Sequence, residues 1–207
     1  MRTLTEQKKN EILHSASSVF IEQGYERASM DSVAKAAGCS KATLYNYFSS
    51  KESLFEAVVR AYSTNYLTGA AGELKAMNNG SYTLPETLQR FGERMLGVMM
   101  SDWKALQLYR IVVGEAGHSE IGELFYESGV RESMSALTGV MERHIETGAL
   151  TGSNAVLRAK QFSALVTAEA DEILLLRRIP GYTEDEVSIM VKNAVELFIN
   201  GAGQKSV

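Results

Sequence analysis

The sequence predicts an all-α protein of about nine helices. Apolar residues recur with the helical period along nearly the whole chain, and no segment alternates like a strand for long. Only two prolines interrupt 207 residues. Glycines close the apolar-periodic runs, and Ser, Thr or Asn stand before them, as helix ends require.

The first helix is expected over Leu4 to Gln23, with Thr3 and Glu6 as a capping box and Gly24 closing its end. Its apolar stripe is Ile12, Leu13, Ala16, Val19 and Phe20. Next come two short helices, Met30 to Ala37 after the cap Ser29, and Lys41 to Phe48 after the cap Ser40. Gly38 lies between them, where the backbone must turn with positive φ. Ser50 caps a fourth helix from Lys51 through Leu54, Phe55, Val58, Val59 and Tyr62, running towards Met77. Asn78-Asn79-Gly80-Ser81 is a break. A helix then starts at Thr83-Leu84-Pro85 and carries Leu88, Phe91, Met95, Met99 and Met100. Another covers Lys104 to Ala116, ending at Gly117. Ile121 to Glu146 reads as one long helix interrupted by Gly129 and closed by Gly148. Ser153 or Asn154 caps the next, through Leu175 or Arg178. Pro180-Gly181 marks a turn, and Thr183 with Glu186 boxes the start of the last helix, Glu184 to Ile199. Residues Gly201 to Val207 read as a frayed tail.

Ser29 to Lys51 is the most informative stretch. Val33, Ala34 and Ala37 face Leu44 and Phe48, and the small residues let two helices cross closely. Lys41, Ala42, Thr43, Tyr45, Asn46 and Tyr47 are left outward. A cation, hydroxyls and an amide on one short helix are the groups that read base edges and bind phosphates, so the segment reads as a DNA-reading helix-turn-helix. The expected division is a helix-turn-helix domain over residues 1–50 and a helical domain over residues 51–207, to which the family resemblance given below assigns ligand binding and dimerisation.

Charge bears on this expectation through its distribution. The chain carries a formal −4, yet residues 1–60 hold eight Lys/Arg against seven Asp/Glu, leaving the acidic excess to the remainder. Phosphate contact needs a local basic patch, not a basic protein. No apolar run reaches the ~18 residues that would span a bilayer, and the N-terminus is polar and helix-patterned, unlike a signal peptide. The single Cys39 permits no internal disulfide framework and fits a reducing cytoplasm. Packing is the simpler role for it, with oxidant sensing beside the reading helix as the alternative. His14, His118 and His144 are scattered without metal-ligand spacing. No GxSxG, P-loop, GxGxxG or HExxH pattern occurs, so neither catalytic residues nor a cofactor or metal site is expected.

The ordered runs FIEQGYERASM and DSVAKAAGCSKATLYNYFSSKESLF resemble the TetR family of bacterial one-component transcriptional regulators over roughly residues 8 to 60. Tyr45 and Phe48, with Lys51 three residues on, are the most diagnostic part. LYRIVVGEAGHSEIGELFYESG, residues 108 to 129, is similar to the ligand-domain signature of the AefR-like branch. The resemblance implies an all-α cytoplasmic homodimer on palindromic double-stranded operator DNA, released by a small, largely apolar effector, with no membrane association. Two departures stand out. Cys39 replaces a usual aliphatic residue in the turn, and Asp31 is acidic where the family is often polar or basic, so it caps locally or disfavours some contacts.

The resemblance also implies roles. Thr43 and Tyr47 match positions that touch DNA. Lys41 is the candidate for reading a guanine, and Ala42 permits close approach of the backbone. Tyr45 packs its ring while its hydroxyl reaches phosphate; Asn46 bonds adenine or only faces solvent. Lys51, near free N–H groups of a helix start, would hold a phosphate, and Ser29 and Ser40 double as caps and phosphate donors.

In the remainder, Met95, Met99, Trp103, Tyr109, Phe125 and Phe162 are candidates to line an adaptable apolar pocket, with Arg110 and Glu169 as polar anchors or as partners of one another. At helical spacing such residues equally form ordinary core or dimer seam. The apolar faces of Ala155–Leu176 and Val187–Ile199 are candidates for a four-helix dimer interface. The alternatives are a helical small-molecule carrier without DNA activity and a ligand-dependent activator; the intact Ser29–Lys51 segment disfavours the former.

Overall fold

The computed structural model describes residues 5–64, 69, 71, 72, 74, 82–178 and 181–203. Among these the protein is all-α, with one isolated antiparallel bridge between Leu150 and Gly203. The helices are α1 (Glu6–Gln23), α2 (Met30–Ala36), α3 (Lys41–Tyr47), α4 (Lys51–Val59), α5 (Leu84–Ser101), α6 (Trp103–Glu115), α7 (Ile121–Phe125), α8 (Arg131–Glu146), α9 (Ala155–Thr167) and α10 (Glu184–Ala202). A π turn, Tyr126–Val130, joins α7 to α8 through the bend at Gly129, so the expected Ile121–Glu146 run is one kinked rod. With that rod counted once, the described helices number nine.

Several helix bounds differ from expectation for local reasons. Helix α1 starts at Glu6, because the Thr5 hydroxyl accepts from the Lys8 N–H and its own backbone is extended. Helix α4 passes at Val59 into a π turn, Arg60–Thr64. Helix α9 ends at Thr167, well before Leu175; the Thr167 hydroxyl bonds back to the carbonyls of Ser163 and Ala164, and a 3-10 turn, Asp171–Leu174, follows. Helix α10 runs on through Ala202, whose carbonyl accepts from both the N–H and the hydroxyl of Thr151. Gly201 is therefore helical, not frayed. The Thr3–Glu6 box, the Asn78–Ser81 break, the extension of the fourth helix to Met77, the Pro180-Gly181 turn and residues 204–207 fall wholly or partly outside the described residues.

The chain forms two compact units. The first is Met1–Asn65 with Trp103–Gly129, and the second is Tyr66–Asp102 with Val130–Val207. This division by packing is drawn differently from the division by role at residue 50, since α6 and α7 belong with the first unit. In that unit α1, α2, α3 and α4 bury Ile12, Phe20, Leu44, Leu54, Phe55 and Val58, joined by Leu108 and Val112 of α6 and Ile121 of α7. The Phe20 and Phe55 rings meet edge to face at 4.9 Å, and Tyr25 meets Phe55 at 5.1 Å. In the second unit α5 packs against α9 and α10 around Phe91, Phe162 and Phe198. Gly92 permits the close approach there: a Cβ on it would stand 2.5 Å from Cγ1 of Val191.

Candidate nucleic-acid interface

The reading segment is built by its caps. The Ser29 hydroxyl accepts from the Ser32 N–H at 3.1 Å, and the Ser32 hydroxyl oxygen accepts from the Ser29 N–H at 3.1 Å, a reciprocal box that starts α2. At the other end Gly38 adopts φ 58, its N–H reaching Lys35 O and the Cys39 N–H reaching Ala34 O. These are the two bonds of a Schellman close, which needs a left-handed residue at this point. The Lys8 ammonium of α1 donates to Ala37 O at 3.0 Å and so satisfies another carbonyl at the end of α2. Ser40 then caps α3 by accepting from the Thr43 N–H at 3.0 Å, and its hydroxyl lies 2.8 Å from that of Thr43.

Helix α3 buries Leu44, and Phe48 caps its C-terminus from within the core. Lys41, Ala42, Tyr45 and Asn46 are exposed, while Thr43 and Tyr47 are half-buried. One apolar edge and one polar edge on a seven-residue helix leave a face free to meet another molecule. The Tyr45 ring packs in part and is 44% exposed. The Tyr47 hydroxyl accepts from the Thr5 N–H at 2.9 Å, which anchors the start of α1 and leaves the phenolic proton free to donate outward.

Two cations on this side already have partners. The Lys41 ammonium lies 2.8 Å from Oδ1 of Asp31; that hydrogen bond and the adjacent negative charge raise the Lys41 pKa. The Lys51 ammonium donates to Tyr25 O at 3.0 Å and to Glu26 O at 3.4 Å, and stands 4.2 Å over the Tyr25 ring. In the free protein the Lys51 ammonium thus satisfies carbonyls of the connection after α1. Ser50 serves the start of α4 instead, through a reciprocal box with Ser53. Tyr25 completes this corner by donating its hydroxyl to Glu52 at 3.3 Å; burial, then the charge of Glu52, push its pKa well up. Cys39 is half-buried against the first core.

Sequence reasoning missed Thr5 and Lys8 as supports of the interface. Their bonds to Tyr47 and Ala37 join residues 42 and 29 positions apart, and no local pattern signals them. Asp31 stood out as an acidic departure, but its partner did not.

The expected ligand residues divide between the two units. Trp103, Tyr109, Arg110 and Phe125 lie in the first; there the Tyr109 and Phe125 rings lie tilted by 42° with centroids 5.4 Å apart, Arg110 donates to Gln107 at 3.5 Å, and Trp103 is 57% exposed. Met95, Met99, Phe162 and Glu169 lie in the second. Phe162 is fully buried between Phe91 and Phe198 as core, and Glu169 is exposed and accepts from Asn193 at 3.3 Å. Arg110 and Glu169 therefore belong to separate units. The second unit also holds a polar cleft of about 540 Å³ between α5 and the start of α10, lined by Arg90, Glu93, Arg94, Glu184, Asp185 and Ser188 among others. Glu93 is fixed there by the Ser188 hydroxyl at 2.7 Å and the Gln89 amide at 2.8 Å. None of the expected ligand residues lines this cleft.

Comparison with known proteins agrees with this architecture. Residues 12–58 match the model of bacterial regulatory proteins of the tetR family, and residues 86–201 match that of the AefR-like transcriptional repressor C-terminal domain. The HTH-type transcriptional activator FasR of Mycolicibacterium smegmatis is 34% identical over 86 residues, which is 42% of this chain and 39% of that protein; the match thus spans about two fifths of this relative's length. A TetR-family regulator from Mesorhizobium loti superposes with a TM-score of 0.80 over 98% of this chain and 100% of its own, at 23% identity. The flavonoid-responsive regulator FrrA superposes with a TM-score of 0.71 over 98% and 100%, at 28% identity. The chain belongs to the tetR family, whose members are DNA-binding regulators of transcription and not enzymes, and its C-terminal region to the AefR-like branch.

Proposed function

We propose that the protein is a cytoplasmic repressor that binds a palindromic operator as a homodimer and leaves it when a small, largely apolar molecule binds the C-terminal region. The observation that carries the DNA-reading part is the face of α3: Lys41, Ala42, Tyr45 and Asn46 are exposed while Leu44 is fully buried beneath them. A helix held this way can enter a major groove, with Lys41 at a guanine edge, Asn46 at an adenine, and Thr43, Tyr45 and Tyr47 at phosphates or a thymine methyl. Ser29, Ser40 and Lys51 flank it as phosphate contacts, and Lys51 must exchange its carbonyl partners to serve.

Two copies related by a dyad reach successive grooves about 34–36 Å apart. The exposed apolar residues Val156 and Leu157 on α9 and Ile189 and Leu197 on α10 offer apolar surface for such a pairing. Repression is favoured by the AefR-like repressor description of the C-terminal match. FasR, described as an activator, supports the opposite sign and makes a reporter assay decisive. The name of FrrA directs the first effector screen to flavonoids.

The test is selection of duplexes from a randomised pool by the purified protein, followed by binding across a salt series and a reporter driven from the enriched site. An enriched palindrome, steeply salt-dependent binding and reporter silencing are expected. Enrichment of no sequence would end the DNA-reading proposal, and reporter induction would reverse its sign.

A further inference from the structure

Asp31 is the second residue of α2 and Lys41 the first of α3, so their 2.8 Å ion pair joins the starts of the two helices of the reading segment. Both side chains are exposed, by 56% for Lys41 and 68% for Asp31, so the pair stands on the surface and not in the core. Two other ammonium groups of this unit are held elsewhere: Lys8 by Glu11 and Ala37 O, and Lys51 by Tyr25 O and Glu26 O. Lys41 is the cation on the exposed face of α3 itself, and its reach is set by a carboxylate. A lone lysine is a flexible point charge that accepts any phosphate. Paired with Asp31, it arrives oriented, and the carboxylate repels phosphates from the start of α2.

We infer that Asp31 is a specificity-determining positioning residue of the DNA interface: it holds Lys41 for a base acceptor and disfavours duplexes that offer Lys41 only phosphates. This rests on the DNA-reading proposal above. The specificity of a DNA-binding protein is the ratio of its cognate to its non-specific affinity, and a carboxylate beside the phosphates lowers the second more than the first.

The test uses the full-length protein, the duplex that the wild type enriches from a randomised pool, and a scrambled duplex of the same composition, by fluorescence anisotropy over a salt series. Asp31→Asn is expected to tighten binding to the scrambled duplex about tenfold and to the enriched duplex no more than about threefold. Its slope of log K against log salt on the scrambled duplex should steepen by about one, the signature of one further phosphate contact. Asp31→Glu should restore most of the ratio. In a Lys41→Met background most of that steepening should vanish, because the cation it releases is gone and only the carboxylate's own repulsion of phosphate is left; a steepening as large as in the presence of Lys41 would overturn the inference. Equal changes on both duplexes, or a shift in melting temperature alone, would show that Asp31 merely supports the start of α2 and would overturn the inference. If the wild type enriches no duplex, the DNA-reading proposal falls and takes this one with it; if it does and Asp31→Asn leaves the ratio unchanged, only this one falls.

Discussion

At the scale of single residues, the side chains beside the reading face differ in what they already hold. The Thr43 hydroxyl touches only Ser40 among the described contacts, so its removal should cost the fold little. Thr43→Ala is expected to weaken binding to the enriched duplex by ~1–3 kcal/mol if it makes a good contact, with an unchanged melting temperature; anisotropy and thermal denaturation together check this. Lys51 is the opposite case. Its ammonium satisfies two carbonyls and covers an aromatic face, so Lys51→Met should lower stability by ~1–2 kcal/mol, a fall of ~2–8 °C for a chain of this size. If Lys51 also reaches phosphate in the complex, the salt slope of the variant falls as well; a variant with wild-type melting would show that the carbonyl contacts are idle. The sequence made the exposure of Lys41, Ala42, Tyr45 and Asn46 legible, because residue type and helical phase are local properties, while Thr43 and Tyr47, expected outward, are half-buried. It could not show that Lys41 faces Asp31 or that Tyr47 holds Thr5, because those contacts exist only once three helices have packed.

At the scale of elements, the ends of helices carry the information. Gly24, Gly38 and Gly148 all take positive φ where the sequence placed a close, and Thr183 with Glu186 forms the box its spacing announced. Gly38 offers the cleanest test. A Cβ there would meet nothing within 4 Å, so the cost of Gly38→Ala is conformational alone. It should be ~1–2 kcal/mol, read by chemical denaturation, and a neutral result would mean that the turn relaxes. The boxes also predict acid sensitivity. Backbone and side-chain bonds from Thr83 and Thr183 hold the Glu86 and Glu186 carboxyls below the ordinary carboxylate value. A depressed folded pKa gives stability that is full above the unfolded value and lost as pH falls through the folded one. Replacing both with Gln should therefore flatten the dependence of melting temperature on pH below about 4.5, the window beneath the free carboxyl value; an unchanged acid limb would count against the boxes. Where the sequence failed was the end of α9. The apolar pattern continues through Leu174, Leu175 and Leu176, yet the helix stops at Thr167 and a 3-10 turn, Asp171–Leu174, follows.

At the scale of the whole molecule, the question is which apolar surface is left after each unit has closed its own core. Helices α9 and α10 are apolar over broad arcs, and the sequence alone could not say which side faces inward. The structure turns Ala155, Ala159, Phe162 and Val166, and Val187, Val191, Ala194, Val195 and Phe198, towards the core, and leaves Val156, Leu157, Ile189 and Leu197 exposed. Those four carry the proposed dimer. A reading helix of seven residues is about 10 Å long at 1.5 Å per residue, too short to select one site alone. Joining two such helices makes the second contact intramolecular, which raises affinity by ~10²–10⁴ without any new contact to DNA. Leu197→Glu places a charge on that face, 61% exposed in the single chain, and so should leave the folded unit intact by circular dichroism. The variant should sediment as a monomer and bind the full palindrome ~10²–10⁴ more weakly, while its affinity for an isolated half-site stays at the wild-type value. A variant that remains dimeric would move the interface off α10, and a monomer with wild-type affinity for the full palindrome would show that one reading helix suffices, against the geometry that makes the dyad necessary.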